Sequence, residues 1–186
     1  MTFKTLAAAL TATTLLAGMA QAQMDNPMVG GAEMLPQRNI IENAVNSPIH
    51  TTLVAAVQAA GLVETLSGPG PFTVFAPTDA AFAALPEGTV EALVQPQNIE
   101  QLTRILTCHV VAAEAFSDAI GGMIADDGGA HPVPTVGGCI LTARMNGDMI
   151  TIEDEQGQIA TVTIADVDQS NGVIHVIDTV LLPAPM

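Results

Sequence analysis

Four histidines (His50, His109, His131 and His175), two cysteines (Cys108 and Cys139) and 19 acidic residues are the groups in this 186-residue chain that could do chemistry. Nucleophilic catalysis requires an attacking group oriented by a base and by a third residue. The candidates are Cys108, His109 and His175 with Asp178 or Asp79, and nothing in their spacing brings them together. The chain has no Gly-x-Ser-x-Gly elbow, no His-Glu-x-x-His pair and no glycine-rich phosphate loop. Neither catalysis nor a cofactor is expected.

Metal chemistry fares no better. Asp166-Val167-Asp168-Gln169-Ser170-Asn171-Gly172 has the acidic spacing of a calcium loop, but its glycine falls one place late and Ile177 occupies the position of the bidentate Glu. It reads as a solvated turn, and Glu153-Asp154-Glu155 reads as a hairpin tip. The histidines lack zinc-ligand spacing, so no metal is expected.

Export decides how the cysteines are read. Lys4 precedes the apolar run Leu6 to Met19 and the small-residue sequence Ala20-Gln21-Ala22, the pattern of a secretory signal peptide. The run is shorter than the roughly 20 residues of a spanning helix. A signal over residues 1–22 and a mature chain from Gln23 are expected, secreted or periplasmic within the cell envelope, with no integral membrane segment. In an oxidising compartment an even pair of cysteines favours a Cys108–Cys139 disulfide over a reactive or metal-bound thiolate.

Composition limits the partners. Formal net charge is −15, becoming −16 once Lys4 is removed, and Arg38, Arg104 and Arg144 are then the only basic side chains besides histidine. Nucleic acids and anionic bilayers both demand Lys and Arg, so neither is an expected partner. Like charge on every copy favours a monomer. Five Phe, with no Trp or Tyr, leave a core of aliphatic residues and Met.

The elements that must position these groups change character along the chain. Residues 23–38, with Pro27, Gly30, Gly31 and Pro36, read as a flexible extension. Helical spacing follows at Asn39 to Val45, Thr51 to Ala60, Thr89 to Val94, Ile99 to Leu106 and, more weakly, Phe116 to Ile124. Between them Phe72 to Pro77 is a strand, and Thr78-Asp79 can cap a helix running through Phe82 to Leu85. From Cys139 onward the pattern is strand after strand, separated by turn signals such as Asn146-Gly147 and Asn171-Gly172. The fold class is α+β, with an antiparallel meander at the C-terminal end. Strand Gly172 to Asp178 alternates Val173, His175 and Ile177 against Ile174, Val176 and Asp178, which makes both faces apolar and the strand central. His175 is then a buried, hydrogen-bonded imidazole.

Three segments resemble the fasciclin (FAS1) family in order and spacing: Phe72-Thr73-Val74-Phe75-Ala76-Pro77-Thr78-Asp79-Ala80-Ala81-Phe82, Leu106-Thr107-Cys108-His109-Val110-Val111, and Asn171-Gly172-Val173-Ile174-His175-Val176-Ile177-Asp178. The resemblance covers residues 39–184 and implies a FAS1 fold, a β-strand wedge packed with several α-helices. It further implies cell adhesion or association with a surface or matrix protein or glycan, without a cofactor. On the motif it makes His109 and Asp178 candidate binding residues, with Thr78, Asp79, Asn171, Gly172 and His175 structural. Cys108 stands where many relatives carry Tyr, and the chain has no Arg-Gly-Asp, so integrin binding does not carry over. The alternative is a soluble periplasmic carrier of a small apolar ligand held in the Met- and Ala-rich core.

Overall fold

The computed structural model describes residues 27–185, so the expected signal peptide lies outside the described residues. The chain opens with a small hairpin, β1 (Met28–Val29) and β2 (Ala32–Glu33), and three helices, α1 (Ile40–Asn46), α2 (Thr51–Ala59) and α3 (Val63–Ser67). Strand β3 (Phe72–Pro77) leads into α4 (Asp79–Ala83), α5 (Thr89–Leu93) and α6 (Ile99–Cys108). Then come β4 (Val110–Val111), α7 (Ser117–Asp126), and strands β5 (His131–Pro134), β6 (Ile140–Asn146), β7 (Met149–Glu153), β8 (Ile159–Gln169) and β9 (Gly172–Ile177).

Seven strands form one sheet in the order β4-β3-β9-β8-β7-β6-β5. The run from β5 to β9 is the antiparallel meander expected from the turn signals. Strand β3 joins it parallel to β9, with Phe72 opposite Gly172 and Ile177 opposite Pro77. All six residues of β9 are buried, because the alternation of two apolar faces places a core on each side. Val74, Ala76, Ile174 and Val176 pack under α1 to α6, and Phe75 and Ile177 pack with α7 and the β6–β8 face. At about 1.5 to 3 kcal/mol for each large apolar side chain withdrawn from water, this strand is the main joint of the molecule.

Local chemistry sets the helix ends. Asn39 accepts the amide of Glu42 while Glu42 accepts that of Asn39, a reciprocal capping box that starts α1. Thr78 Oγ1 accepts from the Ala81 amide and starts α4.

Two readings of the sequence need correction, and one element is new. The described part of the expected flexible extension is folded, since Val29 and Met34 are each only 2% exposed and pack into the helical core. Its glycines are not signs of a loose linker: Gly30 and Gly31 take positive φ and form the tight turn between β1 and β2. Asp166 to Gln169 belongs to β8 rather than to a solvated turn, because irregular pairing with β9 carries the strand on to Gln169, whose side chain is buried. Helix α3, finally, is absent from the sequence reading because its five residues are too few to show a period.

Candidate functional site

The signature residues converge on internal joints. His109 follows the last turn of α6 and is 2% exposed. Its Nδ1–H donates to the Ile105 carbonyl at 2.8 Å and its Nε2 accepts the Leu181 amide at 2.9 Å. That pairing fixes a neutral imidazole, and burial pushes its pKa down to about 4 despite the Ile105 carbonyl and the nearby Asp154 charge. Both nitrogens are used within the protein, so the candidate binding residue of the middle motif presents no polar atom to the exterior.

His175 is fully buried on β9 and stacks on Phe75 with ring centroids 5.8 Å apart. Its Nε2–H donates to the Ala115 carbonyl at 2.8 Å, and its Nδ1 accepts the Asp166 amide at 3.3 Å. Burial lowers its pKa, partly offset by the Ala115 carbonyl and the Asp166 charge. Asp166, at φ 59°, turns its carboxylate to the amide and hydroxyl of Ser117 at the start of α7. His175 therefore clamps β8 and the loop before α7 onto the central strand.

Asn171 ties three separate segments. Its Oδ1 accepts the Ile40 amide at 3.0 Å, and its Nδ2 donates to the carbonyls of Leu66 and Gly68. Gly172 beside it has φ 150°, and a Cβ there would lie 2.0 Å from the Phe72 carbonyl oxygen. Only glycine lets β3 and β9 meet at this point.

Asp79 caps a helix, though not its own. Its carboxylate accepts the amides of Thr51 and Thr52 and the Thr51 hydroxyl at the start of α2. Burial raises its pKa, but these bonds outweigh burial and leave it lowered. Asp178 is exposed and accepts the Thr161 amide at 2.7 Å. Of the two candidate binding residues it alone faces solvent.

Cys108 and Cys139 form a disulfide with Cα atoms 5.4 Å apart, fastening the end of α6 to the start of β6. Both are buried, which removes the thiol from any catalytic set. His131 pairs with Asp127 at 2.6 Å on the surface, and among the described residues no group of three or more His, Cys, Asp or Glu could hold a metal ion. Asp154 is spent on the amides of Gln156, Gln158 and Leu182, as the tip between β7 and β8 requires.

Sequence reasoning missed two places. Thr73 Oγ1 donates to the Ala113 carbonyl and accepts the Ala115 amide, a long-range bond that no local pattern signals. The second is the outward face of β5 to β8. There Pro132, Thr142, Glu153 and Ile159 form one cross-strand row, with Pro134 and Ile140 beside it. Ile140 and Ile159 are 58% and 60% exposed, and Arg144 Nε donates to Glu153 Oε2 at 3.3 Å between their strands. Strict alternation in β6 and β8 could have flagged both isoleucines as outward-facing apolar residues.

The fasciclin domain family model matches residues 48–183. Protein sll1483 of Synechocystis is 47% identical over 144 residues, which cover 77% of this chain and 73% of that one. The cell surface glycolipoprotein MPB83 of Mycobacterium bovis is 33% identical over 172 residues, covering 89% and 70% respectively. Among solved structures, a FAS1 domain pair from the insect cell adhesion molecule fasciclin I superposes with a TM-score of 0.54 at 25% identity. That match covers 68% of this chain and 42% of the pair's chain. The folded unit here extends N-terminal to the family match, since Val29, Met34, Ile40 and Asn43 are buried parts of it. With its strand wedge, helical layer and signature joints in place, the chain belongs to the fasciclin domain family.

Proposed function

We propose that this protein is an exported adhesion or surface-association module of the cell envelope, and that it holds its partner through the outward face of β5 to β8. The observation that carries the reading is the pair of isoleucines, Ile140 on β6 and Ile159 on β8, each more than half exposed on the same sheet face, with Glu153 of the Arg144–Glu153 pair on the strand between them. Exposed apolar side chains set among polar ones on one face mark protein-binding surfaces. The polar signature residues support the same conclusion from the other side, because His109, His175, Asn171 and Asp79 are committed to internal bonds. No nucleophile–base–orienter set is left for catalysis among them. Relatives whose names describe cell-surface and cell-adhesion proteins agree with this reading.

The partner is a protein or glycan of the cell surface or matrix, and the strong negative charge of the chain favours one with a basic surface. The protein acts as a monomer, exposes Asp178 beside β8 where it bonds Thr161, two residues from Ile159, and needs no cofactor. Binding of labelled mature protein to envelope preparations, measured at low and high salt, tests this. Saturable binding that weakens as salt rises supports it, and the absence of saturable binding at any salt overturns it.

A further inference from the structure

Asn-Gly occurs twice in this chain, as Asn146-Gly147 and Asn171-Gly172. Asn171-Gly172 is built into the joint described above, with Asn171 Oδ1 and Nδ2 bonded to the Ile40 amide and to the Leu66 and Gly68 carbonyls and Gly172 buried against the Phe72 backbone. Asn146-Gly147 lies at the tip between β6 and β7. There Gly147 and Asp148 make the turn, Asn146 faces Met149 in the last pair of the ladder, and residues 144–149 are all exposed. The Asn146 side chain makes no hydrogen bond among the described residues. Beyond its chain neighbours, no heavy atom lies within 4 Å of where a Cβ on Gly147 would stand.

The amide carbon of an asparagine and the backbone nitrogen of the next residue are a single ring closure apart, and a glycine in that next position obstructs the closure least. Extended Asn146 has to rotate to bring the two atoms together. The end pair of a ladder opens readily, because local opening is easiest where the backbone frays.

We propose that Asn146 is a site of spontaneous deamidation and isomerisation in the folded protein, with water as the co-reactant, and that Asn171 is shielded from the same reaction. The Gly147 nitrogen gives its proton to solvent and bonds to Asn146 Cγ. The Cγ–Nδ2 bond breaks, and Nδ2 takes a proton from solvent and leaves as ammonia, which closes a succinimide ring. Water then adds at one of the ring carbonyls. Opening at Cγ leaves aspartate; opening at the Asn146 main-chain carbonyl leaves isoaspartate, with the chain running through Cβ and Cγ. Nothing is oxidised or reduced. Either product puts a new negative charge on the tip, and isoaspartate also lengthens the main chain where the Asn146–Met149 pair closes the hairpin. At Asn171 the side chain is held at both polar atoms and β3 lies against Gly172, so ring closure waits for the joint itself to open. This reaction does not depend on the adhesive role.

Mature protein is incubated in neutral buffer, folded and in parallel in enough urea to unfold it. Peptide mass mapping follows the exchange of amide nitrogen for oxygen at each asparagine, and electron-transfer fragmentation separates aspartate from isoaspartate. In the folded protein Asn146 is expected to convert at least about tenfold faster than Asn171, the difference between opening a tip and opening a buried joint. In urea the two rates should converge. Asn146→Gln, whose longer side chain has to close a larger ring, is expected to lose conversion at the tip while Asn171 keeps its rate. Equal rates in the folded protein, an Asn146 that stays intact while the unfolded chain converts, or a ratio that urea leaves unchanged would each overturn the proposal.

Discussion

Acid should loosen this protein well before its carboxylates titrate, and His109 provides the clearest handle. Its pKa moves from 6.5 to about 4 on folding because burial strips the ring of water, an effect the Ile105 carbonyl and the Asp154 charge only partly offset. Between those values the unfolded chain binds a proton that the native chain refuses. Stability is therefore complete above pH 6.5 and is lost as pH falls toward 4. The slope approaches 1.4 kcal/mol per pH unit, so His109 alone removes about 2 kcal/mol between pH 6.5 and 5. Burial lowers His50 and His175 as well, and they add to the same slope. Asp79 and Glu155, lowered from 3.8 and 4.5, withdraw their stabilisation only at lower pH, which leaves the window from 6.5 to 5 to the histidines. Urea unfolding at four pH values across that window measures the slope in wild type and in His109→Leu. The variant is less stable at pH 7, since Leu181 N–H loses its acceptor at a cost of about 1 to 3 kcal/mol. Its slope should nonetheless be shallower by about 1.4 kcal/mol per pH unit. Equal slopes, or wild-type stability flat from pH 6.5 to 5, would refute the assignment of His109 as a buried neutral joint.

Three further outcomes follow from the packing. Gly172→Ala should cost roughly 2 to 6 kcal/mol, combining backbone strain at φ 150° with the clash against the Phe72 carbonyl; thermal unfolding within a few degrees of wild type would contradict this. Reducing the Cys108–Cys139 bond, which spans 31 residues, should lower stability by about 3 to 4 kcal/mol through the entropy returned to the unfolded chain, and denaturation with and without reductant reads that difference. Met34→Ala should cost about 2 to 5 kcal/mol because Met34 is part of the core, whereas a floppy extension would register almost nothing in the same chemical denaturation.

What was legible in the sequence is what short-range periodicity and turn chemistry encode. The two apolar faces of Gly172 to Ile177 announced a central strand, and Thr78 announced the start of α4, since a cap needs only a hydroxyl three residues before an amide. The fasciclin motifs identified the family because their residues sit at the joints, where Asn171 bonds the Ile40 amide and Gly172 leaves no room for a Cβ. Other features depend on distant partners. The parallel pairing of β3 with β9 joins residues about 100 apart in the chain, and Asp79 caps α2 rather than the helix it opens. The N-terminal segment was misread because prolines and glycines signal a turn without revealing whether Val29 and Met34 beside it find a core.

The central claim is that the exterior sheet face binds while the motif residues build the scaffold. Ile140→Lys/Ile159→Lys tests it most directly, because both side chains are more than half exposed and surface changes of this kind alter stability by about 0.5 kcal/mol or less each. Binding isotherms on envelope preparations, with melting curves as the folding control, should show affinity falling at least about tenfold while the fold is kept, the loss expected when exposed apolar contacts are replaced by charge. Unchanged affinity in the folded double variant would contradict the account and move the adhesive surface elsewhere on the molecule.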